Sequence, residues 1–137
     1  MDLPRDEMAI RKVYQSLVES GELKTVFRPG DRVCGLGRNT RRGYWQGEDV
    51  TVKIIDVPGS DAYKIAPKFS EEVMRLVKIS EIERISFENL KHEHFEGSSP
   101  DVQTPEQLAY HLGLVYGKLP EDIREEGVTR IGLKYLD

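Results

Sequence analysis

The chain has one cysteine, Cys34, and so cannot build an internal disulfide; it also lacks the Cys/His spacing of a zinc site. It has no apolar run near the roughly 20 residues that a membrane-spanning helix needs. Its first dozen residues, MDLPRDEMAIRK, are charged from the second position, which is unlike a secretory leader. These absences lead to the expectation of a soluble, intracellular, cytoplasmic protein with no membrane partner. No internal repeat or low-complexity tract is present. At 137 residues and 38% hydrophobic content, the chain can bury one sizeable core, so residues 1–137 read as one domain. Cys34 lies in RVCGLG, among apolar residues and glycines, and reads as a buried strand thiol.

Charge is unevenly distributed. The stretch KTVFRPGDRVCGLGRNTRRGYWQG, from Lys24 to Gly47, holds six basic residues (Lys24, Arg28, Arg32, Arg38, Arg41, Arg42) against the single acid Asp31. The formal net charge of the chain is -4, so removing this +5 leaves -9 for the remainder. Segregation of this kind confines a positive field to one patch while the rest of the surface repels polyanions, which suits a docking site for phosphate groups. Tyr44 and Trp45 stand beside those cations. Arginines for phosphates next to rings for bases are what readers of single-stranded nucleic acid use. The alternative is a solvated arginine-rich loop with Trp45 turned into the core, and the overall pI of about 5.5 weighs on that side.

Periodicity supplies the elements. Ile10, Val13, Tyr14, Leu17 and Val18 recur at helical spacing before Gly21, predicting a helix over about residues 6–19. Thr25-Val26-Phe27 and Arg32-Val33-Cys34 read as strands around the turn Pro29-Gly30-Asp31. Arg38 to Asp49, bracketed by glycines, reads as an exposed loop carrying the basic patch. Val50 to Val57 alternates as a half-buried strand ended by Pro58-Gly59, and Ser60 to Ser70 reads as a second loop. The β-branched density of EVMRLVKISEIERISF, Glu72 to Phe87, predicts a strand with a bulge. Ser86 reads as the cap of a short helix, FENLKHEHFEG, ended by Gly97. Thr104, Pro105 and Gln107 start a helix to Tyr116 with a capping threonine, a first-turn proline and a capping-box glutamine. Ile131, Leu133 and Tyr135 alternate in a closing strand. This order implies an α+β fold, most simply a curled sheet or barrel with helices over its ends, since closure hides sheet edges.

His92, His94 and His111 suggest no metal centre. The first two, two apart on a predicted helix, point to different faces, no Cys joins them, and all three read as exposed helix histidines. No cofactor is called for.

The order SGELKTVFRPGDRV, a strand ending in Phe87, FENLKHEHFEG, a helix leading to Tyr116-Gly117, and a final IGLKYLD resembles the ASCH (activating signal cointegrator homology) domain family over about residues 17–137. The matching pieces are Gly21, Lys24, Thr25, Arg28, Gly30 and Asp31, followed by Glu96-Gly97; Val26 stands where the family carries a threonine two residues before its arginine. The resemblance implies a PUA-like fold, a small β-barrel of five or six strands with flanking helices, and an RNA-related role. Two functions follow. One is a nucleic-acid-binding module that uses Lys24, Arg28, Arg38, Arg41, Arg42, Tyr44 and Trp45 to hold RNA, another single strand, or a nucleoside or nucleotide. The other, implied by similarity to amidohydrolase members of the family, is removal of an acetyl group from a modified nucleoside such as acetylated cytidine. Thr25 would then be the nucleophile, Lys24 its base or electrostatic partner and Glu96 an orienting carboxylate.

Overall fold

The structure is a computed structural model describing residues 7–34, 43–57 and 63–136. Its elements are β1 (Glu7–Arg11), a 3-10 turn (Lys12–Tyr14), α1 (Gln15–Ser20), β2 (Thr25–Pro29), β3 (Asp49–Val57) and β4 (Lys68–Ile85). Two further 3-10 turns (Phe87–Asn89 and His92–Phe95), α2 (Pro105–Tyr116), α3 (Pro120–Glu126) and β5 (Val128–Tyr135) complete the chain.

The strands form one five-stranded mixed sheet in the order β1-β3-β4-β5-β2. β1 runs parallel to β3, with Met8 beside Val52 and Ile10 beside Ile54, and the other pairs are antiparallel. Register shifts between Lys53 and Ile55, between Ile55 and Val57, and between Ile79 and Glu81 interrupt the ladders. Such bulges bend a sheet and deepen its twist, and here the bent sheet packs Met8 and Ile10 of β1 in the same core as Val26 of β2, at the opposite edge. Among the described residues the sheet is not closed into a barrel. β1 and β2 share no ladder, and side chains span the gap instead: Arg28 Nη2 donates to the Ala9 carbonyl at 3.0 Å.

β2 is buried on both faces, so it divides the interior. Val26 belongs to the core inside the curl with Val52, Val77, Ile79 and Ile131. Phe27 belongs to a second core with Phe95, Leu108, Leu112, Ile123 and Val128, which α2 covers. The helix over Pro105–Tyr116 starts as its sequence predicts, with Thr104 Oγ1 accepting from the Gln107 amide. Gln107 Oε1 accepts from the amide of Gln103 rather than from that of Thr104. Gly117, at φ 66°, ends the helix in the left-handed region.

Several expectations need correction. The first predicted helix, about 6–19, is a strand followed by a short helix. Met8 and Ile10 are buried in alternation and find main-chain partners on β3, while Val13, assigned to the helical face, is 67% exposed. Arg32 to Cys34 is not a full strand, since only Val33 forms a bridge, to Tyr44. The second loop is shorter than Ser60 to Ser70, because β4 begins at Lys68; residues 60–62 lie outside the described residues. FENLKHEHFEG folds as two 3-10 turns, and Ser86 makes no side-chain cap bond. Its apolar residues Phe87, Leu90 and Phe95 reach the second core without a helical stripe. α3 was not anticipated, although Pro120 at its first position and Glu121 and Asp122 in its first turn are start signals. The bulged strand forms, but it begins at Lys68 rather than Glu72 and ends at Ile85 rather than Phe87; the closing strand and the strand ending at Val57 stand where the sequence places them.

Candidate functional site

An apolar-walled cavity of about 340 Å³ opens where β1 and β2 fail to pair and is roofed by α2. Its walls carry three cations, Arg11, Arg28 and Arg32, and the rings of Tyr14, Tyr44, Phe69 and Tyr116. That volume lies at the lower end of the roughly 300–1,000 Å³ of small-ligand pockets.

β2 determines how the cations are held. Arg28 borders the cavity along with Val26 and Phe27 of the same strand, and its Nη1 donates to the Phe27 carbonyl at 3.1 Å and Nη2 to that of Ala9. A guanidinium has five N–H groups, so these two bonds orient the group and leave others for a ligand. Arg32 Nε donates to the Pro29 carbonyl at 3.3 Å, and its guanidinium lies 6.0 Å from the centre of the Tyr116 ring. Of the adjacent rings, Tyr44 is the buried one: its hydroxyl donates to the Glu7 carbonyl at 2.8 Å, and burial pushes its pKa up. Trp45 is 43% exposed, so it is not turned into the core as the solvated-loop alternative expects. Arg38, Arg41 and Arg42 lie outside the described residues.

A polar cluster occupies the α2 side of the cavity. Tyr14 Oη donates to Asp101 Oδ2 at 2.6 Å, and His111 Nδ1 is 3.4 Å from Tyr14 Oη and 3.8 Å from Asp101 Oδ2. Burial, reinforced by the hydrogen bond to Asp101, pushes the Tyr14 pKa up to about 12. Burial would raise the Asp101 carboxyl, but hydrogen bonds from Tyr14 and Ser99 and the charge of His111 outweigh it and hold the pKa below the ordinary value. Burial lowers the pKa of His111, and the opposing pull of Asp101 is itself opposed by Arg11 and Arg28. Sequence reading missed this cluster: Tyr14 was assigned to a helix face and His111 to an exposed one, whereas the His111 side chain is only 17% exposed. Tyr14 lies 87 and 97 residues from Asp101 and His111, so the cluster has no local signature.

Lys24, Thr25 and Glu96 border a second, more open depression with Glu81 and Arg130. The amides of Lys24 and Thr25 both donate to the Gly97 carbonyl, which joins β2 to the end of the 3-10 segment. Thr25 is 2% exposed; its hydroxyl donates to the main-chain carbonyl of Glu96 at 2.7 Å, and Arg130 Nη2 lies 3.4 Å away. Arg130 also donates to the His94 carbonyl and pairs with Glu81 at 2.9 Å. Arg28 is not part of this depression, so Lys24, Arg28 and Glu96 do not converge on one pocket, while Thr25 borders both hollows. Among the described residues, no group of three or more His, Cys, Asp or Glu could hold a metal ion, and no helix is long and apolar enough to cross a membrane.

No family model matches the chain, and no curated protein matches it. Two solved structures are similar. Hypothetical protein PH0355 superposes with a TM-score of 0.52 at 20% identity, over 95% of this chain and 97% of its own. Protein EF3133 from Enterococcus faecalis V583, assigned to DUF984, gives 0.51 at 11% identity, over 91% of this chain and 71% of its own. At such identities the likeness concerns the fold alone, and it places the chain with small α+β proteins.

Proposed function

We propose that this protein is a nucleic-acid-binding module, ASCH-like in kind, that seats an unpaired base of RNA in the cleft between β1 and β2 while arginines hold the adjoining phosphates. The observation that carries the reading is the cleft itself: a cavity of about 340 Å³ bordered by Arg11, Arg28 and Arg32 and by tyrosine rings, in a chain that is acidic elsewhere. Phosphate contacts supply affinity, and an enclosed ring supplies contact with the base. Titration of a labelled single-stranded RNA at several salt concentrations tests it. Log affinity is expected to fall with log salt at about -0.7 per phosphate contacted, and the Arg38→Ala, Arg41→Ala, Arg42→Ala triple variant is expected to flatten that slope by up to about two units. Binding that ignores salt, or no binding at micromolar protein in low salt, would remove the proposal.

A second reading has its own support. Lys24, Thr25 and Glu96 share one depression, as an amidohydrolase acting on acetylated cytidine would require. Under it, Thr25→Ala and Glu96→Gln each abolish release of acetate without unfolding the protein. Turnover retained in both variants overturns the assignment of these residues.

A further inference from the structure

The Tyr14, Asp101 and His111 cluster has a definite hydrogen-bonding polarity. The single phenolic proton of Tyr14 is spent on Asp101 Oδ2 at 2.6 Å. His111 Nδ1 therefore faces two oxygens, the phenolic one at 3.4 Å and the carboxylate at 3.8 Å, neither with a hydrogen to offer it. A ring nitrogen in that position is stabilised by carrying the N–H. Neutral imidazole has one such proton, so Nε2 is left as a lone pair. His111 lines the cavity, and among the described residues Nε2 has no protein partner. Burial and the cations Arg11 and Arg28 keep the ring neutral near pH 7, against the pull of Asp101.

We propose that His111 contacts the ligand in the cleft, its Nε2 accepting a hydrogen bond from an N–H on the pairing edge of a nucleobase. This deepens the nucleic-acid-binding reading and rests on it. Every natural base carries such a donor, but in a duplex that donor already serves its complement. An acceptor recessed in a cavity therefore admits an unpaired base and excludes a paired one or one alkylated at that nitrogen. The arginines act on phosphate and cannot make this distinction.

The test has two parts. Nitrogen-15 NMR of the imidazoles at pH 7.5 reads the tautomer directly: His111 is expected to carry its proton on Nδ1, and an Nε2-protonated ring or an imidazolium overturns the proposal without any ligand. Calorimetry with uridine 5′-monophosphate and N3-methyluridine 5′-monophosphate reads the contact. Wild type is expected to prefer the unmethylated nucleotide about tenfold, the size of one hydrogen bond denied to a buried acceptor. His111→Phe is expected to bind both equally, at the affinity wild type shows for the methylated one. Equal binding of the two nucleotides by wild type overturns the role of His111 and leaves nucleotide binding standing. Failure of wild type to bind either one, together with loss of salt-dependent RNA binding, overturns both. The comparison on wild type holds even where His111→Phe does not fold.

Discussion

Thr25 Oγ1 donates to the main-chain carbonyl of Glu96 at 2.7 Å, from a side chain that is 2% exposed. The bond ties β2 to the end of the 3-10 segment and meets Glu96 at its backbone, not at its carboxylate. Thr25→Val keeps the shape and removes the donor, leaving the Glu96 carbonyl short of one partner. It is expected to destabilise the fold by about 1–3 kcal/mol in urea unfolding. A loss under about 0.3 kcal/mol would mean that water replaces the hydroxyl without penalty.

The second core predicts a contrast along α2. Leu112 is 3% exposed and packs in the cluster with Phe27 and Phe95, whereas Leu114, two residues on, is 67% exposed. Leu112→Ala is expected to cost about 2–5 kcal/mol of stability. Leu114→Ala is expected to stay within about 0.5 kcal/mol of wild type. Equal losses would mean that the outer face of α2 is covered.

Tyr44 and Trp45 are adjacent and are expected to respond in opposite assays. Tyr44→Phe removes the hydroxyl bonded to the Glu7 carbonyl, and should lower stability by about 0.5–1.5 kcal/mol. Trp45→Ala removes a ring that is 43% exposed. It is expected to leave the melting temperature near wild type and to weaken RNA binding by about 1–3 kcal/mol with an unchanged salt slope, because stacking releases no counterions. A large drop in melting temperature for Trp45→Ala, with affinity intact, would reverse that assignment.

The Tyr14 cluster has a signature at both ends of the pH scale. The pKa of Tyr14 rises from 10.0 to about 12 on folding, so the unfolded chain loses that proton first and stability falls as pH climbs from about 10 to about 12. His111 is depressed below 6.5. The unfolded chain therefore gains that proton first, and stability falls as pH drops from about 6.5 through the folded value. Chemical denaturation across pH should show both slopes. Tyr14→Phe should remove the alkaline one and His111→Phe the acidic one; slopes that survive those substitutions belong to other groups.

Much of the fold is legible in the chain because its signals are local. The alternation of Val50 to Val57, the β-branched run before Phe87 and the Thr104-Pro105 start each act within a few residues of themselves. The first predicted helix fails for a related reason. Met8 and Ile10 fit a two-residue period as well as a helical one, and only the unpaired edge of β3 decides between them. Of the candidate site residues, Thr25, Arg28 and Tyr44 border the cavity, but all three are also tied into the fold by main-chain carbonyls, a duty that residue type does not reveal.

The sequence by itself determined the segregation of positive charge, the α+β order of elements, and the ends of α2, since charge, apolar period and capping are properties of neighbouring residues. Tertiary structure alone decided that the sheet stays open, that its gap becomes a cavity, and that Tyr14, Asp101 and His111 meet there across separations of 87 and 97 residues. Contacts at such distances along the chain depend on how a bent sheet and a helix pack together, and no local pattern encodes that packing.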